Sequence, residues 1–346
     1  MKSKKSKILA LIYLTLSGAL AIFVFVNGLF SSPYKGVANV FIALGFTVAA
    51  TVIWYLVHNL LHEGFHCLFA LLAGAKILEF GAIGVLIYTK GRKRKIKFDL
   101  RSGYAGRVGF VCNNPKIVPK TLFVALVGGL FGTVLTFAII ILIYALNKSY
   151  FTYYLVLMGI FVVLYMFIVN YACDFPFTDG SMLFMTARGK KEFTRAVKMI
   201  IIEGMLYNGY TVFASIPRND TYDMVTYYDV LFALEQGDIK SAKTLIAQLE
   251  EDEKAGDNEV IAAFMERFFI ACIEKDKDYI SNNKQRFDDV SGGDAQALRV
   301  QIAYRNFTGE SDWADLLKKS FEKALNQTPL KGLSITQMLL MEKYVK

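Results

Sequence analysis

Four stretches of the chain run without Asp, Glu, Lys or Arg: residues 8–34, 36–61, 121–147 and 149–173. Each exceeds the roughly 20 apolar residues that carry a helix across the hydrocarbon core of a bilayer. Lipid offers no partner to an open backbone, so uninterrupted runs of this length predict about four transmembrane helices. Between 74 and 120 the pattern changes. Gly74 is a helix stop, residues 83–88 form an apolar run rich in β-formers, and Lys95-Ile96-Lys97-Phe98-Asp99-Leu100 alternates strictly, with Gly91 in the turn between. These signals predict a small membrane-associated β-hairpin. From about Thr221 the period is helical throughout. Residues 227–250 read as helix, Gly237 turn, helix, with small Ala233 and Ala242 at packing positions. Residues 260–275 with 279–287, and 295–308 with 313–326, read as two further pairs, which predicts a short α-solenoid-like, tetratricopeptide-like domain. The expected fold is an all-α polytopic membrane protein with one β-hairpin and a separate helical domain.

Composition sharpens this division. Over 346 residues the chain is 54% hydrophobic and 20% charged, with mean hydropathy +0.38, too apolar for an ordinary soluble domain or a disordered chain. Residues 1–189 hold 18 Lys/Arg against 5 Asp/Glu, whereas 190–346 hold 21 against 25. The basic excess follows membrane topology rather than nucleic-acid affinity, because it lies between apolar spans. Four basic residues precede the first span and 11 lie in 74–120, but the two opposite loops carry one each, Lys35 and Lys148. The expectation is a multi-pass protein of a cell membrane, bacterial, with both termini cytoplasmic. Ala19-Leu20-Ala21 resembles a signal cleavage site, but the apolar run continues through Phe30, so an uncleaved anchor is expected. The expected domains are an anchor helix (1–35), a membrane core (36–190), a linker or interfacial helix (191–220) and a cytoplasmic helical-repeat-like domain (221–346). Cys67, Cys112, Cys173 and Cys272 are scattered, which excludes a disulfide framework and a cysteine zinc site. Cys67 and Cys173 read as small packing residues.

The second span runs on into His62-Glu63-Gly64-Phe65-His66, an HExxH motif. Histidines four apart on a helix differ by about 40° of rotation and about 6 Å of rise, so both imidazoles reach one metal. Glu63, about 100° from His62, can take a proton from a metal-bound water, whose pKa zinc lowers to about 7. Ionisable residues in an apolar helix are costly and mark function. His58 lies one turn before His62, so all three histidines line one stripe. It fits an interior polar residue with a hydrogen bond, or one that braces the site or touches substrate.

Zinc held by two histidines needs a third protein ligand and an open position. The first 189 residues offer Glu63, Glu79, Asp99, Asp174 and Asp179. Asp174 and Asp179 follow the fourth span, whose expected inward direction brings its end to the same depth as the HExxH motif.

These motifs resemble the site-2 protease family of intramembrane zinc metalloproteases. His62, Glu63 and His66 match its HExxH helix, and Pro176, Asp179 and Gly180 match its later N-x-x-P-x-P-x-x-DG-like segment. Asn170 stands one place further from Asp179 than the family's Asn, and the proline-rich segment is thinned to Pro176. The segment after Gly74 and the Gly128-Gly129-Leu130-Phe131-Gly132 run also match family features. The resemblance covers roughly residues 37–190. It implies one Zn2+ per chain on His62, His66 and Asp179, with Glu63 as general base; apart from the resemblance, Asp174 is the alternative third ligand. His58, Asn170, Pro176, Gly128 and Gly129 are the further positions expected to contact substrate or brace the ligands. The implied activity is hydrolysis of a peptide bond in a transmembrane or membrane-embedded substrate near the cytoplasmic face. A strand edge near the metal, expected at 95–100, could hold the unwound chain by β-augmentation. The C-terminal helices are expected to bind a protein partner or to stabilise the fold. The rival reading is a non-catalytic membrane scaffold with a vestigial metal site that recruits partners through its helical domain.

Overall fold

The computed structural model describes residues 15, 18–19, 22–23, 26, 36–91, 93–98, 106–147, 149–172, 179–180, 182–183, 191–217, 224–252 and 257–345. Most of the expected first span lies outside them. The chain divides into two compact units. The first is built around the apolar helices before Gly189. The second runs from Lys190 and also takes in Tyr88–Lys95 and Val111–Val118.

Among the described residues, three helical stretches are long and apolar enough to cross a membrane: Val37–Leu72, Pro115–Leu146 and Tyr150–Tyr171. Helix α1 (Val37–Leu72) is continuous over 36 residues, about 54 Å at 1.5 Å per residue. The HExxH motif therefore lies inside a helix and not at its frayed end. Glycine ends it: Gly74 has φ +90°, its N–H donates to the Leu71 carbonyl, and the Ala75 N–H reaches back to Ala70. That paired closure is a Schellman cap. Helices α2 (Val118–Leu146) and α3 (Tyr150–Phe167) follow. Phe41, Val48, Phe131, Val134, Ile141 and Leu164 point outward, a distribution suited to lipid. Inside, Trp54 packs with Ile140, Val156, Val162 and Val163. Its indole N–H donates to the Leu155 carbonyl at 2.6 Å, which satisfies the polar atom that burial would otherwise leave orphaned.

The predicted hairpin is present as β2 (Val85–Lys90) and β3 (Lys93–Phe98), but it belongs to a four-stranded sheet of order β3-β2-β1-β4. Strands β1 (Lys76–Ala82) and β4 (Arg107–Val111) complete it. The expected strand at 83–88 begins late because Ile83 and Gly84 both have positive φ, at 50° and 76°. This is the backbone of a tight hairpin turn. A β-branched residue is strained there, and the Ile83 N–H is fastened by the Asn59 side chain of α1 at 3.2 Å. Residues 99–105, including the expected strand end at Leu100, lie outside the described residues.

In the second unit, α4 (Lys191–Tyr207) and the short α5 (Val212–Ser215) precede seven helices: α6 (Tyr227–Gln236), α7 (Ile239–Glu251), α8 (Asp257–Glu274), α9 (Lys277–Val290), α10 (Ala295–Thr308), α11 (Ser311–Leu325) and α12 (Lys331–Tyr344). Local chemistry sets their ends. Thr226 and Asp229 form a capping box on α6, Gly237 closes that helix in the left-handed conformation, and Asp238 caps α7. Asp276 and Asp294 cap α9 and α10 in the same way. Ala233 and Ala242 are buried at the packing positions expected of them.

The linker expectation for 191–220 does not hold across 191–217. Ile202, Leu206 and Val212 belong to a core cluster with Leu231, Leu234 and Ile246. Lys198 is buried too, donating to the Met224 carbonyl and the Asp229 carboxylate. A basic-then-apolar helix reads the same in sequence whether its apolar face meets lipid or protein.

One buried carboxylate in this unit makes stability depend on pH. Burial raises Glu203 from the ordinary 4.5 to about 7, a hydrogen bond from the Tyr228 hydroxyl opposes the rise, and nearby Glu259 adds to it. The folded state thus holds this proton more tightly than the unfolded chain does. The resulting penalty is absent below about pH 4.5, grows up to about pH 7 and is complete above it. Glu203→Gln should therefore raise the unfolding free energy of the detergent-solubilised chain by roughly 1–3 kcal/mol at pH 8. The same substitution should change nothing at pH 4.5, as thermal unfolding at the two pH values will show.

Candidate metal centre

Helix α1 buries His58, Asn59, His62, Glu63 and His66 together. The spacing of His62 and His66 directs both Nε2 atoms to one point, 3.2 Å apart. A single oxygen, Asp179 Oδ2, lies 2.8 Å from His62 Nε2 and 2.9 Å from His66 Nε2. Among the described residues these three form the group whose donor atoms approach closely enough to share an ion. Tetrahedral zinc with bonds of about 2.1 Å separates its ligand atoms by about 3.4 Å. The observed triangle is a few tenths of an ångström tighter, so small side-chain rotations would admit the ion.

The far side of each imidazole settles what the near side offers. His66 Nδ1 lies 2.7 Å from the Ala125 carbonyl. His62 Nδ1 lies 3.1 Å from the Gly129 carbonyl and 3.2 Å from the Thr133 hydroxyl, and that hydroxyl donates its own hydrogen to Gly129. Carbonyl oxygens only accept, so both Nδ1 atoms carry the ring hydrogen. Both Nε2 atoms therefore face the shared Asp179 carboxylate oxygen, contacts that a proton on an Nε2 or a cation held between the three would satisfy.

Glycines bring α2 close enough to supply those carbonyls. A Cβ at Gly129 would lie 2.2 Å from His66 Nε2, one at Gly128 would lie 2.5 Å from the Phe65 carbonyl oxygen, and one at Gly132 would lie 2.7 Å from that of Leu61. Gly129 thus braces His62 through its carbonyl, while Gly128 serves close helix approach. Asp179 is held differently. Helix α3 continues as a π-helical turn, Ile168–Ala172. Gly180 presses on it so tightly that a Cβ would fall 2.3 Å from Tyr171 Cα and 2.8 Å from the Asn170 carbonyl oxygen. Asn170 therefore borders Asp179-Gly180 through its backbone.

Glu63 stands outside the triangle. Its side chain faces Gly106, where a Cβ would lie 2.1 Å from Glu63 Cγ. Beside it opens a cavity of about 170 Å³ lined by Glu63, His66, Asp179, Gly106, Arg107 and Val108, among others. The site thus borders β4, at one edge of the sheet. The edge expected to serve the site, Lys95–Leu100, falls largely on β3 at the opposite edge. That expectation is corrected: the run at 107–111 is short and broken by Gly109, so the alternating stretch at 95–100 drew the assignment to the wrong edge. His58 stacks on His62 with ring centroids 5.6 Å apart, and among the described residues neither of its nitrogens has a hydrogen-bond partner. Asp174, Pro176 and Cys173 lie outside the described residues. Asn59, Thr133, Gly106 and Tyr171 went unremarked in the sequence. Only Thr133, one turn after Gly129 on the small-residue face, carried a usable signal. Comparisons with protein-family profiles, with curated proteins and with solved structures find no match to this chain.

Proposed function

We propose that this chain is a zinc-dependent intramembrane endopeptidase of the site-2 protease kind, acting on a transmembrane or membrane-embedded peptide. The observation that carries the reading is the convergence of His62 Nε2, His66 Nε2 and Asp179 Oδ2, with both Nδ1 atoms tied to α2 carbonyls. Two nitrogens and one oxygen, with space left for a fourth ligand, suit catalytic zinc. Zinc bound there would supply Lewis acidity and lower the pKa of a coordinated water.

The chain's own residues supply the rest. Glu63 takes the proton of the attacking water as the oxygen–carbon bond forms. The carbonyl π pair moves onto oxygen. When that pair returns, the carbon–nitrogen bond breaks and Glu63 passes its proton to the leaving amine. One product ends in a carboxylate, the other in an amine. A substrate helix hides its carbonyls in internal bonds, so it must first open. The β4 edge beside the cavity offers backbone partners to the opened segment. The basic strand β3 suits an anionic headgroup layer on the cytoplasmic side, and the paired helices of the second unit suit a solenoid-like surface for a protein partner.

The test is Glu63→Gln in the full chain. Metal content should equal that of the wild type, while cleavage of a membrane substrate falls by roughly 10²–10⁴. Wild-type cleavage by the Glu63→Gln protein would overturn the reading and favour the scaffold alternative.

A further inference from the structure

Zinc hydrolysis of an amide develops negative charge on the carbonyl oxygen, and fixed donors aimed at that oxygen lower the barrier. Glu63 cannot be such a donor while it holds the role of base. Beside the triangle, among the described residues, lies a buried hydroxyl without a well-formed hydrogen bond. Tyr171, at the π-helical turn, is 9% exposed, and its hydroxyl makes no well-formed hydrogen bond among the described residues. A buried hydroxyl left unpaired costs about 1–3 kcal/mol, and π-helical turns of this kind recur at functional sites.

Its placement is specific. The ring meets His62 edge-on with centroids 6.2 Å apart and stacks on Phe167 at 5.3 Å. Gly180 pins its backbone from the other side. The hydroxyl interacts with the Asp179 and Glu63 carboxylates, reaching toward Asp179 as a hydrogen-bond donor, without a well-formed hydrogen bond to either. Resting on the peptidase reading above, we infer that Tyr171 donates its O–H to the substrate carbonyl oxygen as that oxygen becomes negative. No proton leaves the phenol: the hydrogen bond shortens as the π pair moves onto oxygen and relaxes when the pair returns and the carbon–nitrogen bond breaks.

Tyr171→Phe removes the donor and keeps the ring. The experiment compares the purified full-length wild type and Tyr171→Phe in detergent. It measures metal content, kcat and KM on a fluorogenic peptide that the wild type cuts, and affinity for the phosphinic analogue of that peptide. The phosphinic group places a tetrahedral oxyanion where the intermediate would carry one. The inference expects kcat to fall roughly 10²–10³-fold with metal content and KM unchanged, and affinity for the phosphinic peptide to fall by a similar factor. Unchanged kcat and phosphinic affinity would overturn it and leave the peptidase reading standing. Loss of metal together with rate would also overturn it, making Tyr171 a brace for Asp179. A wild type that holds no metal and cuts nothing would sink both.

Discussion

On the zinc reading proposed above, Asp179→Asn should strip the centre of its ion. One carboxylate oxygen serves both histidines, at 2.8 and 2.9 Å, so the substitution removes the anionic ligand and the acceptor that pulls the two rings together. Changing even an outer partner of a metal ligand costs about 10–100-fold in affinity; replacing the ligand itself should cost at least about 100-fold. Cleavage should fall to background, beyond the loss expected for Glu63→Gln, because the Lewis acid departs along with the acidified water. Metal analysis after dialysis against a weak chelator reads the first effect directly. Full metal retention would move the third ligand elsewhere, with Asp174 next in line. The fold should survive: Gly180 and Met182 are buried on their own account, and the amide fills the same volume.

The motif on α1 was legible because its chemistry is written in side chains at a helical spacing. Asp179 was legible by a longer route, through the expected direction of the fourth apolar run and the scarcity of acids before residue 190. What escaped is carried by backbone or by neighbours. The Ala125 and Gly129 carbonyls that orient the imidazoles leave no trace in residue identity. Tyr171 looks like any aromatic residue in an apolar span. Strand β4, five residues interrupted by Gly109, is too short for alternation to register, whereas the vivid alternation at 95–100 lies at the far edge of the sheet. In the second unit the helix pairs were readable from Gly237 and the small alanines at 233 and 242. The amphipathic α4 was not, since its apolar stripe meets Leu231 and Leu234 through the same pattern that would suit a membrane surface.

Gly129→Ala should be as damaging as loss of a ligand, although glycine coordinates nothing. The added Cβ would sit 2.2 Å from His66 Nε2, 2.3 Å from its Cε1 and 3.0 Å from His62 Cε1. Neither ring can turn away without giving up its Nδ1 bond to the Ala125 or Gly129 carbonyl. The alternative is for α2 to move off α1, where Gly128 and Gly132 are packed onto the Phe65 and Leu61 carbonyls. Overpacking of this kind costs typically about 1–3 kcal/mol. Metal affinity should fall by roughly 100-fold, as expected when the partners that aim a ligand are lost. Gly45→Ala on α1 is the control. Nothing lies within 4 Å of its added Cβ, and alanine in a helix interior is favoured over glycine by about 1 kcal/mol. The pair should therefore diverge, with Gly45→Ala raising Tm slightly at full metal content and Gly129→Ala losing the metal and some stability. Equal metal content in the two variants would mean that α2 does not hold the histidines, and the convergence of donor atoms would need another cause.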